Sequence, residues 1–262
     1  MQTARNIVRR AACSHHLHIH NSAVPVIFPL ELRYFKGYAK GLGPALVAEY
    51  SGLEWKGNKD LGFHASSQWA ALKPHCPFGQ LPLLTLANGH KIAQTSAIIN
   101  ALGKLGGIEG ERRTFAVSQM LLAEAEDIYQ LMIKALPTRL DDGTVIRLGN
   151  APKGTRADYD AFWSEVLPEH LTYLERLCSA GEGFDNTPGS LYLFSILYQL
   201  ELIQTDLSTP KGTSGTASRY AALSSWYRST LAADQTQKVI TGRSSAGEFA
   251  QYFLSAEQAA AV

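Results

Sequence analysis

Residues 69–98 read WAALKPHCPFGQLPLLTLANGHKIAQTSAI, and this stretch decides the fold. Within it, LPLLTLA at 81–87 and HKIA at 90–93 are apolar segments joined by Asn88 and Gly89. This dipeptide tolerates positive φ and is typical of tight turns between strands. The pattern therefore predicts an antiparallel hairpin.

Helix signals flank the hairpin on both sides. Before it, SSQWAAL predicts one or two helical turns that begin at a Ser66 cap. After it, Thr95 or Ser96 is predicted to cap a helix that runs to about Leu105 and closes at the glycine pair 106–107. The hairpin thus lies between two helices.

The same alternation extends upstream. LELRYF at 30–35 has the alternating aromatic and branched residues of a strand. A helix is predicted over 44–50, with proline at its opening and Gly52 just past its end, and a short strand near 53–56 follows. The predicted element order is β-α-β-α-β-β-α.

From Arg112 onward the hydrophobic period becomes helical, and no strand is required. The segment 137–155, rich in Asp, Gly, Pro and Arg, is interpreted as a loop. Predicted helices cover 115–136, 159–178, 191–207 and 217–232, with a short one near 247–254. The expected fold class is α/β followed by all-α, with a first domain at 29–107 and an all-helical domain at 113–262.

Composition excludes several function classes. Of 262 residues, 18% are charged and the formal net charge is +1, so no basic stripe favours nucleic acid. Apolar runs are too short for a membrane span. The three cysteines, Cys13, Cys76 and Cys178, include no C-x-x-C pair, so we expect no metal site or disulfide framework.

Residues 1–28 are predicted to be a leader or a disordered tail. They contain Arg5, Arg9 and Arg10, and no acidic residue occurs before Glu31. That composition suits an organelle transit peptide. We therefore expect a cytoplasmic protein or, if the leader is a transit peptide, a mitochondrial or plastid one.

The stretch at 69–98 carries the pattern W-x-x-x-K-P-x-x-P-F-G-Q-L-P-L-L and then I-A-Q-T-x-A-I. It resembles the cytosolic-type glutathione S-transferases, closest to the sigma class. A weaker similarity covers the segment 221–253. The resemblance implies a thioredoxin-like first domain that binds glutathione, with no metal, and the conjugation chemistry of detoxification.

By this resemblance, Tyr34 at the end of the first strand is the catalytic residue. The thiolate is the nucleophilic form of glutathione, and an ordinary thiol with a pKa of about 8.5 is mostly protonated at neutral pH. A hydrogen bond from the phenol to the sulfur would favour the thiolate. The alternative is that Tyr34 is an ordinary strand aromatic.

The resemblance also implies a set of glutathione-binding residues. Pro82 would follow a cis peptide bond that turns the Leu81 backbone toward the cysteinyl part, and the helix start at Gln94 would receive the γ-glutamyl carboxylate. Asp127 would reach the γ-glutamyl ammonium of a partner subunit, although Glu124 and Glu126 compete for this role. The full set is Tyr34, Lys40, Trp69, Lys73, Gln80, Leu81, Pro82, Gln94, Thr95 and Asp127.

Two of these positions depart from the family pattern. Thr95 stands where the family usually has serine, and it retains a hydroxyl group. Lys40 occupies a place where arginine is expected, and lysine lacks the planar two-pronged geometry of a guanidinium. The acceptor pocket is expected between the first domain and the helices, lined by Tyr38, Tyr129, Met132 and Trp226.

Three functions remain open from the sequence. The first is a glutathione transferase that acts on a small hydrophobic electrophile. The second is a glutathione-dependent isomerase similar to prostaglandin D synthase, and the third is a non-catalytic scaffold subunit. A homodimer is expected from the resemblance.

Overall fold

A computed structural model describes residues 29–57, 66–139, 145–147, 156–181, 183–203, 219–254 and 258. The predicted leader lies outside these residues. The first part of the chain consists of β1 (Leu30–Arg33), α1 (Leu42–Tyr50), β2 (Trp55–Gly57), α2 (Ser67–Leu72), β3 (Leu83–Thr85), β4 (Lys91–Ala93) and α3 (Thr95–Gly106). This is the predicted β-α-β-α-β-β-α order.

The four strands form a mixed sheet in the order β2-β1-β3-β4. β1 is parallel to β2 and antiparallel to β3, and the β3–β4 pair is the predicted hairpin. At its turn, Gly89 has a φ of 81° and the His90 amide donates to the Asn88 side chain at 3.0 Å. The positive φ explains why glycine follows asparagine here.

Of the two helix caps predicted from the sequence around the hairpin, one is present in the structure and the other is not. The Ser66 side chain accepts from the Trp69 amide at 3.1 Å and caps α2, as predicted. The predicted cap at Thr95 or Ser96 is wrong, because α3 begins at Thr95 with Gln94 at the N-cap and without a side-chain cap. Gly107 ends α3 in the left-handed conformation with a φ of 69°.

The second part is mainly helical. It consists of α4 (Arg113–Ala135), β5 (Pro137–Arg139), β6 (Val145–Arg147), α5 (Arg156–Ala161), a π-helical turn (Phe162–Val166), α6 (Leu167–Ser179), α7 (Pro188–Ile203), α8 (Ala221–Ala232) and α9 (Asp234–Ile240). α1 packs between α3 and α7, and α7 also packs on α4. Residues 42–48 of α1 are all buried, since the helix is covered on several sides.

Two segments of the second part differ from expectation. β5 and β6 pair antiparallel where a loop was predicted. The C-terminal segment, residues 241–254, is extended over 247–254 and not helical. It crosses the first domain, where the Gly57 amide donates to the Ser245 carbonyl at 3.2 Å. Its end pairs with β5 through Leu254 N–H and the Pro137 carbonyl, at 3.2 Å.

No helix among the described residues is both long enough and apolar enough to cross a membrane.

Candidate functional site

Tyr34 directly follows β1 and is held by the loop that leads into α1. Its phenol oxygen accepts a hydrogen bond from the Lys40 amide at 3.2 Å. A Cβ atom at Gly41 would lie 2.3 Å from Tyr34 Cδ1, so only glycine leaves room for the ring in this position. The Lys40 amide therefore holds the phenol oxygen, and the absence of a side chain at Gly41 leaves space for the ring.

The electrostatic surroundings keep Tyr34 protonated. Burial raises the pKa of its phenol above the ordinary value; the hydrogen bond from Lys40 opposes this rise, and the nearby Tyr252 adds to it. No acceptor for the phenol proton occurs among the described residues. At neutral pH, Tyr34 thus presents an unused O–H donor.

Lys40, a predicted glutathione-binding residue, has a different partner in this structure. Its ammonium group lies 2.6 Å from Glu126 Oε1 on α4, and 5.0 Å from the centre of the Tyr129 ring. The other oxygen of Glu126 accepts from the Tyr192 hydroxyl on α7 at 2.8 Å. Lys40 thus links the loop after Tyr34 to two helices of the second part.

The charge state of Glu126 follows from these contacts. Burial raises its pKa, but hydrogen bonds from Lys40 and Gln130, the Lys40 charge and the Tyr192 hydroxyl outweigh burial. The pKa of Glu126 therefore lies below its ordinary value. The carboxylate is ionised at neutral pH and pairs with Lys40.

Trp69 lies next to the residues that follow β1, and Lys73 comes four residues later in the chain. The Trp69 ring packs edge-on against Phe35 at 5.3 Å, and only 7% of Trp69 is exposed. Tyr34 and Leu81 pack against the same small cluster. Lys73 opens the 3-10 turn Lys73–His75 and is exposed. The structure thus brings Tyr34, Trp69 and Leu81 together, with Lys73 one helical turn beyond Trp69.

The segments on either side of the hairpin supply the main-chain part of the site. The Leu81–Pro82 peptide bond is cis, as the resemblance implied. Gln80, one residue earlier, is exposed. At the start of α3, Gln94 has a φ of 74°, which is uncommon for a residue with a side chain, and the adjacent Thr95 is 5% exposed.

Asp127 is not part of this group within one chain. It follows Glu126 on α4, is exposed, and lines a surface groove of about 600 Å³ between α4 and α6 together with Met120 and Tyr173. Met120 and Tyr173 are 57% and 52% exposed.

A cavity of about 490 Å³ lies beside Tyr34. Its walls are the end of β1, Gly57 at the end of β2, and the C-terminal segment. The described lining residues are Leu32, Tyr34, Phe35, Lys36, Gly57, Gly242, Ala246, Gly247, Glu248, Phe249 and Ala250.

The residues predicted to line an acceptor pocket do not line this cavity. Tyr38, Tyr129 and Met132 are buried in the core, and Trp226 packs against Phe184 within the helical part. Tyr38 contributes indirectly, because its ring stacks on Phe249 at 5.5 Å. The C-terminal segment, and not the helices, forms the second wall of this cavity.

Sequence reasoning missed the Tyr192 contact to Glu126 and the wall made by residues 246–250. The Tyr192 contact joins residues 66 positions apart, and no local pattern reveals it. The wall arises because Ala250 exchanges main-chain hydrogen bonds with Lys36 and Tyr38, at 2.5 and 3.0 Å. Such bonds do not depend on side-chain type.

The described cysteines are poor candidates for catalysis. Burial raises the pKa of the Cys76 thiol above its ordinary value. Burial and the Glu175 charge raise the pKa of Cys178 to about 11. Among the described residues, no cluster of three or more His, Cys, Asp or Glu side chains could hold a metal ion.

The mixed sheet, the cis-proline before β3 and the following helices define a thioredoxin-like domain joined to a helical one. Comparison with known proteins shows which members of this class the chain is similar to. Glutathione S-transferase 1 of Ascaris suum is 37% identical over 81 residues, which are 31% of this chain and 37% of that protein. Glutathione S-transferase P of Caenorhabditis elegans is 31% identical over 111 residues, or 42% of this chain and 46% of that protein.

Solved structures agree over a longer part of the chain. The glutathione S-transferase from Ascaris lumbricoides superposes with a TM-score of 0.60 at 23% identity, over 83% of this chain and 98% of that one. Prostaglandin synthase D of Nilaparvata lugens gives 0.62 at 17% identity, over 83% and 99%. No family model matches.

The chain therefore has the glutathione S-transferase fold, and its resemblance to the cytosolic glutathione S-transferases is confirmed. The sequence matches span less than half the length of these two relatives.

Proposed function

We propose that this protein is a glutathione transferase in which Tyr34 activates the thiol of bound glutathione. The observation that supports this most directly is the protonation and the hydrogen bonding of the Tyr34 phenol. Tyr34 is protonated, its oxygen is held by the Lys40 amide, and its proton has no acceptor among the described residues. A sulfur atom beside the cavity would supply that acceptor.

The reaction follows from the properties of the thiol. A hydrogen bond from Tyr34 stabilises the thiolate more than the thiol and lowers the thiol pKa, and each unit corresponds to about 1.4 kcal/mol. The thiol proton leaves to solvent. The thiolate then forms a carbon–sulfur bond with the electrophile, and in a substitution the leaving group departs with the electron pair of its bond to carbon.

The proposed glutathione contacts combine main-chain and side-chain groups. The helix dipole of α3 at Thr95 favours the γ-glutamyl carboxylate. Residues in unusual backbone conformations such as that of Gln94 cluster at ligand sites, and this supports a binding role. The indole N–H of Trp69 and the ammonium of Lys73 are suitable donors for the glycine carboxylate.

We also propose that the protein forms a homodimer through the face that contains Asp127. Met120 and Tyr173, which line the same groove as Asp127, are 57% and 52% exposed. Covering them with a second copy would remove apolar surface from water and would bring Asp127 toward the partner's site. Analytical ultracentrifugation tests the dimer directly.

The first experiment measures glutathione binding by calorimetry and titrates the bound thiolate by ultraviolet absorbance. Wild type is compared with Tyr34→Phe, and Tyr50→Phe is the matched control because it removes a phenol that contacts Thr236 and does not line the cavity. We expect all three proteins to bind glutathione. Only Tyr34→Phe should lose the lowered thiol pKa, by about one to two units.

Other results would support other functions. Failure of the wild type to bind millimolar glutathione would favour a scaffold role. A lowered thiol pKa together with turnover that leaves glutathione unconsumed would favour an isomerase. An unchanged thiol pKa in Tyr34→Phe would contradict the role of Tyr34.

A further inference from the structure

The cavity beside Tyr34 has an apolar base and two charged residues. Leu32 and Phe35, which are 4% and 8% exposed, line the cavity together with Phe249 of the C-terminal segment. Lys36 and Glu248 are exposed and line the same cavity. A molecule bound in the cavity would therefore contact both apolar side chains and charged groups.

The two charged side chains have no partners within the described part of the chain. Neither Lys36 nor Glu248 makes an ion pair or a side-chain hydrogen bond there, in contrast to Lys40, which is paired with Glu126. Main-chain hydrogen bonds from the Ala250 amide to the Lys36 carbonyl and from the Tyr38 amide to the Ala250 carbonyl join the two walls. An unpaired ammonium on one wall and an unpaired carboxylate on the other are available to a ligand.

Lys36 is the charged cavity residue that is nearest to Tyr34 in the sequence. It lies two residues after Tyr34, and both residues line the cavity. Its ammonium would attract an anionic group on a molecule that is bound in the cavity. Glu248 would repel an anionic group on its own wall.

We propose that this cavity takes small electrophiles that carry an anionic group, and that Lys36 binds this group while Leu32, Phe35 and Phe249 contact the apolar body. Glu248 orients the acceptor by disfavouring the reverse arrangement. The inference rests on the proposed transferase function, because it names the acceptor class of that site. Lys36 is thus a specificity-determining residue.

The test uses two matched, unreactive probes, 3,5-dinitrobenzoate and 3,5-dinitrobenzamide, which differ in charge but little in shape. Calorimetry of the full chain without glutathione gives Kd values for both. Binding then does not depend on the thiol chemistry. The variants are Lys36→Gln, Glu248→Gln and the control Lys56→Gln, an exposed lysine on β2 that is absent from the cavity lining.

We expect wild type and Lys56→Gln to bind the benzoate roughly threefold to tenfold more tightly than the benzamide. Lys36→Gln should abolish this preference, and Glu248→Gln should increase it. Equal Kd values in the wild type, a preference for the benzamide, or an unchanged preference in Lys36→Gln would each overturn the inference.

Reactive analogues extend the test to catalysis. With 4-chloro-3,5-dinitrobenzoate and its amide, the sulfur replaces chloride, which leaves as the anion. Lys36→Gln should lower kcat/KM for the benzoate roughly threefold to tenfold and leave the amide unchanged. If the benzoate preference is absent while the thiol pKa of bound glutathione is lowered, the acceptor class is wrong and the transferase function stands.

Discussion

The two sides that we propose for Tyr34, one for glutathione and one for the acceptor, are built in different ways. The glutathione side comes from the contiguous stretch 69–98, and it relies on main-chain features such as the cis Leu81–Pro82 bond and the start of α3. The acceptor side joins three segments, the end of β1, Gly57 and residues 242–250, which are far apart in sequence. A local motif therefore specifies one side, and tertiary pairing specifies the other.

The largest effect that tests this difference is expected from Gly57→Ala. The new Cβ would lie 2.5 Å from the Ser245 carbonyl oxygen and 2.6 Å from Ala246 Cα, so the C-terminal segment must move. We expect the free energy of unfolding to fall by about 2 kcal/mol. The KM for the acceptor should rise while the Kd for glutathione is unchanged, as measured by denaturation, kinetics and calorimetry.

Ser245→Ala is the control for this variant. It removes the hydroxyl group but keeps the carbonyl that accepts from the Gly57 amide. We expect stability and both affinities to remain close to wild type. A weaker affinity for glutathione in Gly57→Ala would show that the two sides are not independent.

A smaller effect is expected from Gly41→Ala, which acts on the boundary between the two sides. Its Cβ would collide with the Tyr34 ring and displace the phenol from the Lys40 amide. We expect the thiol pKa of bound glutathione to rise by up to about one unit, or about 1.4 kcal/mol. The measurement is the ultraviolet titration of the thiolate.

The Tyr34→Phe background separates this positioning role from a general disturbance. There the thiol has no phenol donor, so adding Gly41→Ala should leave its pKa unchanged. A further rise of the pKa in the double variant would contradict a role through Tyr34.

The smallest effect is expected from Glu126→Gln, which breaks the connection between Lys40 and α4. Because the folded-state pKa of Glu126 is lowered, its ionised form contributes stability above the ordinary value of 4.5, and this contribution is lost as the pH falls through the folded-state pKa. We expect the variant to be about 1 kcal/mol less stable at pH 7, with the difference shrinking in acid.

Thermal unfolding between pH 3 and pH 7 measures this dependence. Asp127→Asn is the matched control, since Asp127 is the exposed neighbour on α4 and makes no described hydrogen bond. It should leave the stability of the subunit fold unchanged across this range. A constant difference between Glu126→Gln and wild type at every pH would contradict the assignment.

The sequence predicted the elements whose signals are local. The hairpin at Asn88 and Gly89 and the Ser66 cap depend on neighbouring residues, and both are present. The predicted helix at 247–254 is wrong because Ala250 forms its main-chain hydrogen bonds with a distant loop. The strands β5 and β6 were missed because their composition resembles a loop.

The same distinction applies to the candidate site. Trp69, Leu81 and Tyr34 were identified by a resemblance to a motif, and they lie together. The partner of Lys40 was not identified, because Glu126 is 86 residues away and surface carboxylates are common on helices. The cavity lining was not identified either, because it depends on how the C-terminal segment crosses the sheet.

The docking of the C-terminal segment by main-chain bonds has an evolutionary consequence. Ser245 and Ala250 are held through their backbone atoms, whereas the Glu248 and Phe249 side chains line the cavity. A substitution at 248 would change the lining of the proposed acceptor cavity while the segment stays attached. Gene duplicates of this protein could thus diversify in acceptor range without altering the motif at 69–98.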